Sequence, residues 1–274
     1  MRLVEQSVEY LRQEDGLEGV YKQIERAARV CYKSEDRITE DSAKKFVEAM
    51  KTKGHTSTLE HGTVYLAFPT KVIDDWHRGN EPELQELARE EVIKSPYSKV
   101  FAGGHFITTN MRVIHEVSRG ELLLSYMVPP MKGLHERRHT VKIITNRAIA
   151  NELVRHRVFS FSQESTRYCN YTKDKFGNEV SFISPQDYLM EQAYQQCEDT
   201  YFALVNKGMK PEIARDVLPL GLKTEIVMTG FESDWVKFFA LRTGDNVEGK
   251  AGRPHPMMQD LAKMIRDTIN AEGK

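Results

Sequence analysis

Two β-rich runs lie far apart in the sequence with no regular strand–helix alternation around them, and this restricts the fold more than any other feature. Residues 63–68 (TVYLAF), halted by Pro69, and 141–145 (VKIIT) both read as strands. A helix-rich block precedes the first. Val20, Ile24, Ala27, Ala28 and Cys31 recur at helical spacing, as do Phe46, Val47 and Met50 after a cap at Asp41 or Ser42, with Gly54 as the stop. The residues between the two runs contain Trp76, Gly103-Gly104 and Pro129-Pro130 and read as short helices and turns inserted between two sheet partners. A short helix (NRAIANELV) is expected from Asn146, and Ser184-Pro185 announces a long one that Gly208 ends. Another helix starts at Pro211, a strand TEIVMT follows, and two helices begin near Ser233 and Pro256. Helices and strands mixed without βαβ order predict an α+β fold. A single large domain over residues 1–274 is expected, with an insert at about 70–135 that is not a domain of its own.

The composition excludes several classes. Of 274 residues, 40% are hydrophobic and 29% charged, and no stretch approaches the ~18 consecutive apolar residues of a membrane span. With 39 Lys+Arg against 40 Asp+Glu, the net charge of -1 gives no global field for nucleic acid or an anionic membrane, so any anion site is local. The first residues carry acids where a signal peptide needs an apolar run. Cys31, Cys169 and Cys197 are odd in number and widely spaced, which fits a reducing, cytoplasmic setting.

Three motifs are weaker than they look. His135-Glu136-Arg137-Arg138-His139 matches HExxH, which needs a helix to place both imidazoles on one zinc. Prolines and Gly133 crowd its approach, a β run follows at once and two arginines sit inside it, so no metal is expected. Residues 244–251 (GDNVEGKA) miss the phosphate loop GxxxxGK[ST] at Ala251, which has no hydroxyl for magnesium, and they follow a helix rather than a strand. Cys169, after Arg167-Tyr168, could be an activated thiolate, but a small buried residue is the commoner role.

The local anion site lies between Arg137 and Arg167, where seven Lys/Arg face two acids, Glu152 and Glu164. Arg155, His156 and Arg157 could simply close the preceding helix, since cations suit a helix C-terminus. The run that follows argues for more. Phe159 and Phe161 alternate with Ser160 and Ser162, and Gln163, Glu164, Ser165 and Arg167 then crowd together polar groups that a structural strand rarely needs. One non-enzymatic reading is an RNA-binding protein that uses the basic stretch 155–171 with Phe159, Phe161, Tyr168 and Tyr171 as stacking platforms.

Arg155-His156-Arg157, seven residues, then Ser165 is the RHRx7S signature, and RHRVFSFSQESTRY resembles the flavin-dependent thymidylate synthases. GHTSTLEH (54–61), ARDVLPLGL (214–222) and FFALR (238–242) fall in that family's order, so the resemblance covers most of the chain outside about 70–135. It implies an FAD-dependent methyltransferase that converts dUMP to dTMP with methylenetetrahydrofolate and NADPH, as a homotetramer with shared active sites and no nucleic-acid partner. By the same resemblance Arg155, His156 and Arg157 meet flavin, Ser57 contacts FAD, and His55 and Glu60 lie close by. Glu152, Arg155, Gln163, Glu164, Ser165, Arg167 and Arg215 surround dUMP, Gln163 also touches flavin, and Arg242 sits on the pyrimidine as the catalytic group. Phe231 and Lys237 depart from asparagines of more familiar members, Cys31 stands where some have serine, and Arg253 and His255 stay unassigned.

Arg242 is also singled out by phase. Trp235, Phe238, Phe239 and Arg242 fall at i, i+3, i+4 and i+7, which puts a guanidinium on an apolar stripe, where it needs a partner unless it snorkels to water. Arg215 has a plainer alternative, a surface pair with Glu212.

Overall fold

The computed structural model describes residues 1–77, 83–245 and 253–272. Its strands are β1 (Arg2–Val4), β2 (Ser7–Tyr10), β3 (Thr63–Ala67), β4 (Lys99–Phe101), β5 (Phe106–Asn110), β6 (Arg138–Asn146), β7 (Ser160–Gln163), β8 (Ser181–Ile183) and β9 (Lys223–Phe231). Its helices are α1 (Gly16–Tyr32), α2 (Ser42–Thr52), α3 (Thr70–His77), α4 (Glu83–Lys94), α5 (Met111–Glu116), α6 (Arg147–Leu153), α7 (Tyr188–Asn206), α8 (Pro211–Ala214), α9 (Glu232–Arg242) and α10 (Pro256–Glu272). The fold is α+β, with no helix among the described residues long and apolar enough to cross a membrane.

An antiparallel sheet in the order β2-β6-β9-β7 forms the frame of the molecule. Side chains alternate across its faces, and the alternation separates two chemistries. Val141, Ile143, Ile226 and Met228 point to one face, where Ile149 and Leu153 of α6, Trp235 and Phe238 of α9, and Leu261 and Ile265 of α10 cover them. Val227 points to the other and meets Ala27 and Val30 of α1. Lys142 and Glu225 share that second face and pair across 3.1 Å.

The strands expected at 63–68 and 141–145 exist, but they are not partners in one sheet. β3 pairs with β5, and β5 with β4, in a separate antiparallel sheet to which the insert contributes β4 and β5. Phe106, Ile107, Thr108 and Thr109 supply the β-branched and aromatic residues that make β5 a strand. The insert still shares a core with the N-terminal block: Ala88, Val92, Ile107 and Ile114 pack with Val20, Ile24, Val47 and Leu59. The long helix α7 begins later than Ser184-Pro185. Ser184 donates its N–H to Val4 O at 2.9 Å and extends the parallel β1–β8 pair, and Asp187 is the cap, accepting from Leu189 N at 2.8 Å.

Candidate active site

The basic motif begins where α6 ends. Asn146 starts this helix by accepting from Ile149 N at 2.8 Å, and Val154 closes it, so residues 155–157 occupy a turn rather than the helix itself. His156 lies edge-on to Phe238, with ring centroids 5.0 Å apart, while Arg155 and Arg157 on either side are exposed. Arg242, in the last turn of α9, reaches across: its Nε donates to His156 Nε2 at 2.9 Å and its Nη1 to Glu152 at 3.2 Å. The sequence argument that Arg242 needs a partner is thus met by two residues of the motif segment. A guanidinium only donates, so His156 Nε2 must be the lone-pair nitrogen and the ring proton sits on Nδ1. Burial, and then the Arg242 charge, depress the His156 pKa to about 4 and keep the ring neutral.

A second group gathers beyond the other end of β7. Ser165 N donates to Cys31 O at 3.1 Å at the end of α1, and Arg215 Nη1 donates to Thr166 Oγ1 at 2.8 Å, so Arg215 binds the motif segment. The Arg167 guanidinium lies over the Tyr168 ring at 5.9 Å, and that ring packs on Tyr32 at 5.3 Å. Tyr32 Oη in turn lies 3.3 Å from His55 Nδ1. This series of contacts brings the segment 54–61 to the motif. Ser57 is exposed on a 3-10 turn (Thr56–His61). Glu60 pairs with Arg112 at 2.6 Å.

Gln163 and Glu164 leave β7 in opposite directions. Gln163 Nε2 donates to Thr224 Oγ1 at 3.2 Å, whereas Glu164 is buried and accepts from Lys223 Nζ at 3.2 Å and from Glu225 N at 3.1 Å. Glu225 is surrounded by Lys33, Lys142 and Lys223, and Lys223 with Lys33 overcomes burial to hold its carboxyl down at about 2. Sequence reasoning missed this group. The one available signal was the pair of charged residues, Lys223 and Glu225, two positions apart at the start of a β-rich run.

The other motifs resolve locally. His135 sits in a turn and His139 in β6, not on a helix; His135 Nε2 lies 2.9 Å from Leu66 O and His139 Nδ1 lies 3.0 Å from Tyr10 Oη. Burial, with Glu164 nearby, pushes the Cys169 thiol up to about 12. Most of the GDNVEGKA segment lies outside the described residues. Phe231 carries Arg138 over its ring at 5.3 Å, Lys237 pairs with Asp234 at 3.4 Å, and His255 Nδ1 accepts from Met257 N at 3.2 Å at the start of α10. Of the four rings proposed as stacking platforms, Phe159 and Tyr171 are buried in cores and Phe161 is half-buried, which leaves Tyr168 exposed. A 340 Å³ cavity at Tyr10, Tyr65, Arg138 and His139 is lined by none of the residues drawn from the resemblance.

Residues 136–271 match the model of the family described as thymidylate synthase complementing protein. That match covers the second half of the chain. A flavin-dependent thymidylate synthase of Geobacter sulfurreducens is 35% identical over 128 residues, 45% of this chain and 55% of the relative. One from Sulfurisphaera tokodaii is 36% identical over 99 residues, 35% and 38% of the two chains. The chain therefore spans about half the length of the Geobacter relative it matches. Among solved structures, a UMP/dUMP methylase PolB from Streptomyces cacaoi aligns over 99% of this chain and 93% of its own, with 16% identity and a TM-score of 0.47. The thymidylate synthase complementing protein match begins at Glu136 and so leaves out the β3–β5–β4 sheet and α1.

Proposed function

We propose that the protein is a flavin-dependent thymidylate synthase, which methylates dUMP to dTMP with methylenetetrahydrofolate as the carbon source and NADPH as the reductant. The observation that carries this reading is the bonded group Glu152–His156–Arg242, in which an arginine from α9 closes on the RHR motif from a segment more than eighty residues away in sequence. The residues fit a flavin. Two exposed guanidiniums, Arg155 and Arg157, flank a neutral imidazole, and Val158 beside them is 59% exposed, which offers charge and an apolar surface together. FAD, when bound, supplies the redox chemistry.

The chain's own groups bind and orient the nucleotide. Arg242 stabilises charge that develops on the carbonyl and N3 edge of the pyrimidine, with Glu152 and His156 holding its fork in place. Arg167 and Arg215 take the phosphate, which a guanidinium fork matches, while the Ser165 hydroxyl and Gln163 complete the nucleotide contacts. Ser57, His55 and Glu60 would hold FAD. The thiolate route to uracil methylation needs an activated cysteine, and Cys169 at about 12 is not one. The homotetramer with shared sites is supported by exposed apolar residues on the motif turn, Val154 and Val158, and on α9, Val236 and Leu241. The test is the flavin absorption spectrum of the purified protein with and without dUMP, followed by dTMP formation. A colourless protein that binds no added FAD refutes the proposal.

A further inference from the structure

The period-two geometry of β7 sends Ser160, Ser162 and Glu164 toward α1, and Phe159, Phe161 and Gln163 toward α6 and α9. Glu164 therefore does not share a face with Gln163. Both its backbone and its side chain are tied to β9: Glu164 N donates to Glu225 O at 2.8 Å, and its carboxylate accepts from Glu225 N and Lys223 Nζ. Glu225 is bonded in turn to Lys33 and Lys223. Lys33 is the C-cap of α1 and is left-handed, with φ of 47°. Glycine is the usual residue there, and a lysine that tolerates this conformation has a use for its side chain. Three elements, the end of α1, β6 through Lys142, and β9, thus converge on Glu225, which is bonded through its backbone to Glu164, the residue that immediately precedes Ser165.

We infer that Glu164 is a positioning residue rather than a nucleotide ligand: Lys223, Glu225 and Lys33 hold its carboxylate inside the protein and so fix the backbone of residues 165–167, where Ser165 and Arg167 take the nucleotide. The placement of Ser165 and Arg167 rests on the proposed function; the clamp itself does not. A buried carboxylate with its cationic partner removed is strongly unfavourable, so the clamp has one stable arrangement, and it carries the adjoining loop with it. Cys31 O accepting from Ser165 N ties the same loop to the helix that ends in Lys33.

Glu164→Gln keeps an acceptor for Glu225 N, Glu164→Leu removes it, and Lys223→Met removes the other partner. In hydrogen exchange on the full-length holoprotein, Glu164→Leu is expected to speed exchange of residues 160–168 by about tenfold or more, while the rest of the chain stays protected. In steady-state kinetics the same variant raises KM for dUMP by about tenfold with kcat within about threefold, and Glu164→Gln recovers most of that loss. Lys223→Met reproduces the rise in KM, and the double variant is no worse than Glu164→Leu alone. If Glu164→Leu does not fold, Lys223→Met and Glu164→Gln carry the comparison. Unchanged exchange at 160–168, effects that simply add, or a kcat loss equal in Glu164→Gln and Glu164→Leu would each overturn the inference. Local loosening in a protein whose wild type makes no dTMP leaves the clamp standing and removes the thymidylate synthase reading. Normal turnover by the wild type with unchanged exchange in Glu164→Leu removes the clamp alone.

Discussion

Replacing Arg242 by alanine separates the catalytic reading from a structural one, because the two predict losses of different size. The guanidinium makes a 3.2 Å contact with Glu152 in which the side chains are 24% and 35% exposed, and such a pair is worth about 0.5–1 kcal/mol. The 2.9 Å bond to His156 adds about 1 kcal/mol. Removing both should lower the unfolding free energy by only about 1–2 kcal/mol. A donor preorganised for charge on the pyrimidine is worth about 3–4 kcal/mol, or a 10²–10³-fold loss of turnover. Arg242→Ala is therefore expected to stay folded and keep its FAD while methylation collapses.

The Arg242–His156 bond changes what is expected of the motif. Sequence reasoning has Arg242 acting on the pyrimidine and residues 155–157 chiefly on flavin, so that the two sets fail separately. A direct bond couples them by about 1 kcal/mol, so the stability effects of Arg242→Ala and His156→Ala should sum to more than the double variant loses. The His156 pKa, held at about 4 first by burial and then by the Arg242 charge, should rise part of the way towards its ordinary value in Arg242→Ala, since only the second cause is removed. FAD content, single-turnover dTMP formation, denaturant unfolding and imidazole NMR titration on the three variants measure these. Wild-type methylation by Arg242→Ala would refute the catalytic role, and strict additivity with His156→Ala would refute the bonded geometry.

His61 is fully buried, with its pKa depressed to about 3 by burial and then by Arg138, so its stabilising contribution is present above pH 6.5 and is lost as pH falls towards 3. Between pH 7 and 4.5 the loss from this one group is roughly 2.5 kcal/mol; comparing wild type with His61→Gln by urea unfolding at both values should show a smaller pH dependence in the variant. Cys169 should resist a thiol reagent in the native protein at pH 8 and react on unfolding, and Cys169→Ala should still form dTMP; a folded variant that binds flavin and dUMP without turnover would make the thiol essential. Because His135 and His139 bond to Leu66 and Tyr10 from a turn and a strand, prolonged chelation should leave dTMP formation unchanged, and a zinc whose removal stops turnover would contradict that geometry.

Periodic elements were readable because a single helix face or strand face carries its own signal. The α1 and α9 stripes and the strand around residues 141–145 needed only spacing, and the phase of α9 anticipated that Arg242 would find a partner, though not that the partners would be Glu152 and His156. Elements defined by what pairs with them were harder. Ser184 and Pro185 carry a good helix-start signal, yet Ser184 is taken by the edge of β1, and the strands of the insert gain their meaning only from pairing with β3.

Glu164 shows the same limit at the site. The motif string places Gln163 and Glu164 side by side and assigns both to the nucleotide, but consecutive residues of a strand cannot point the same way. Which of the two turns inward depends on the register of β7 on β9, where Gln163 sits opposite Ile226, and on the left-handed turn that brings Lys33 to Glu225. Neither is local in sequence. A shift of β7 by one residue would bury Gln163 among the lysines and free the Glu164 carboxylate, so the division between ligand and support in this motif is a property of sheet register.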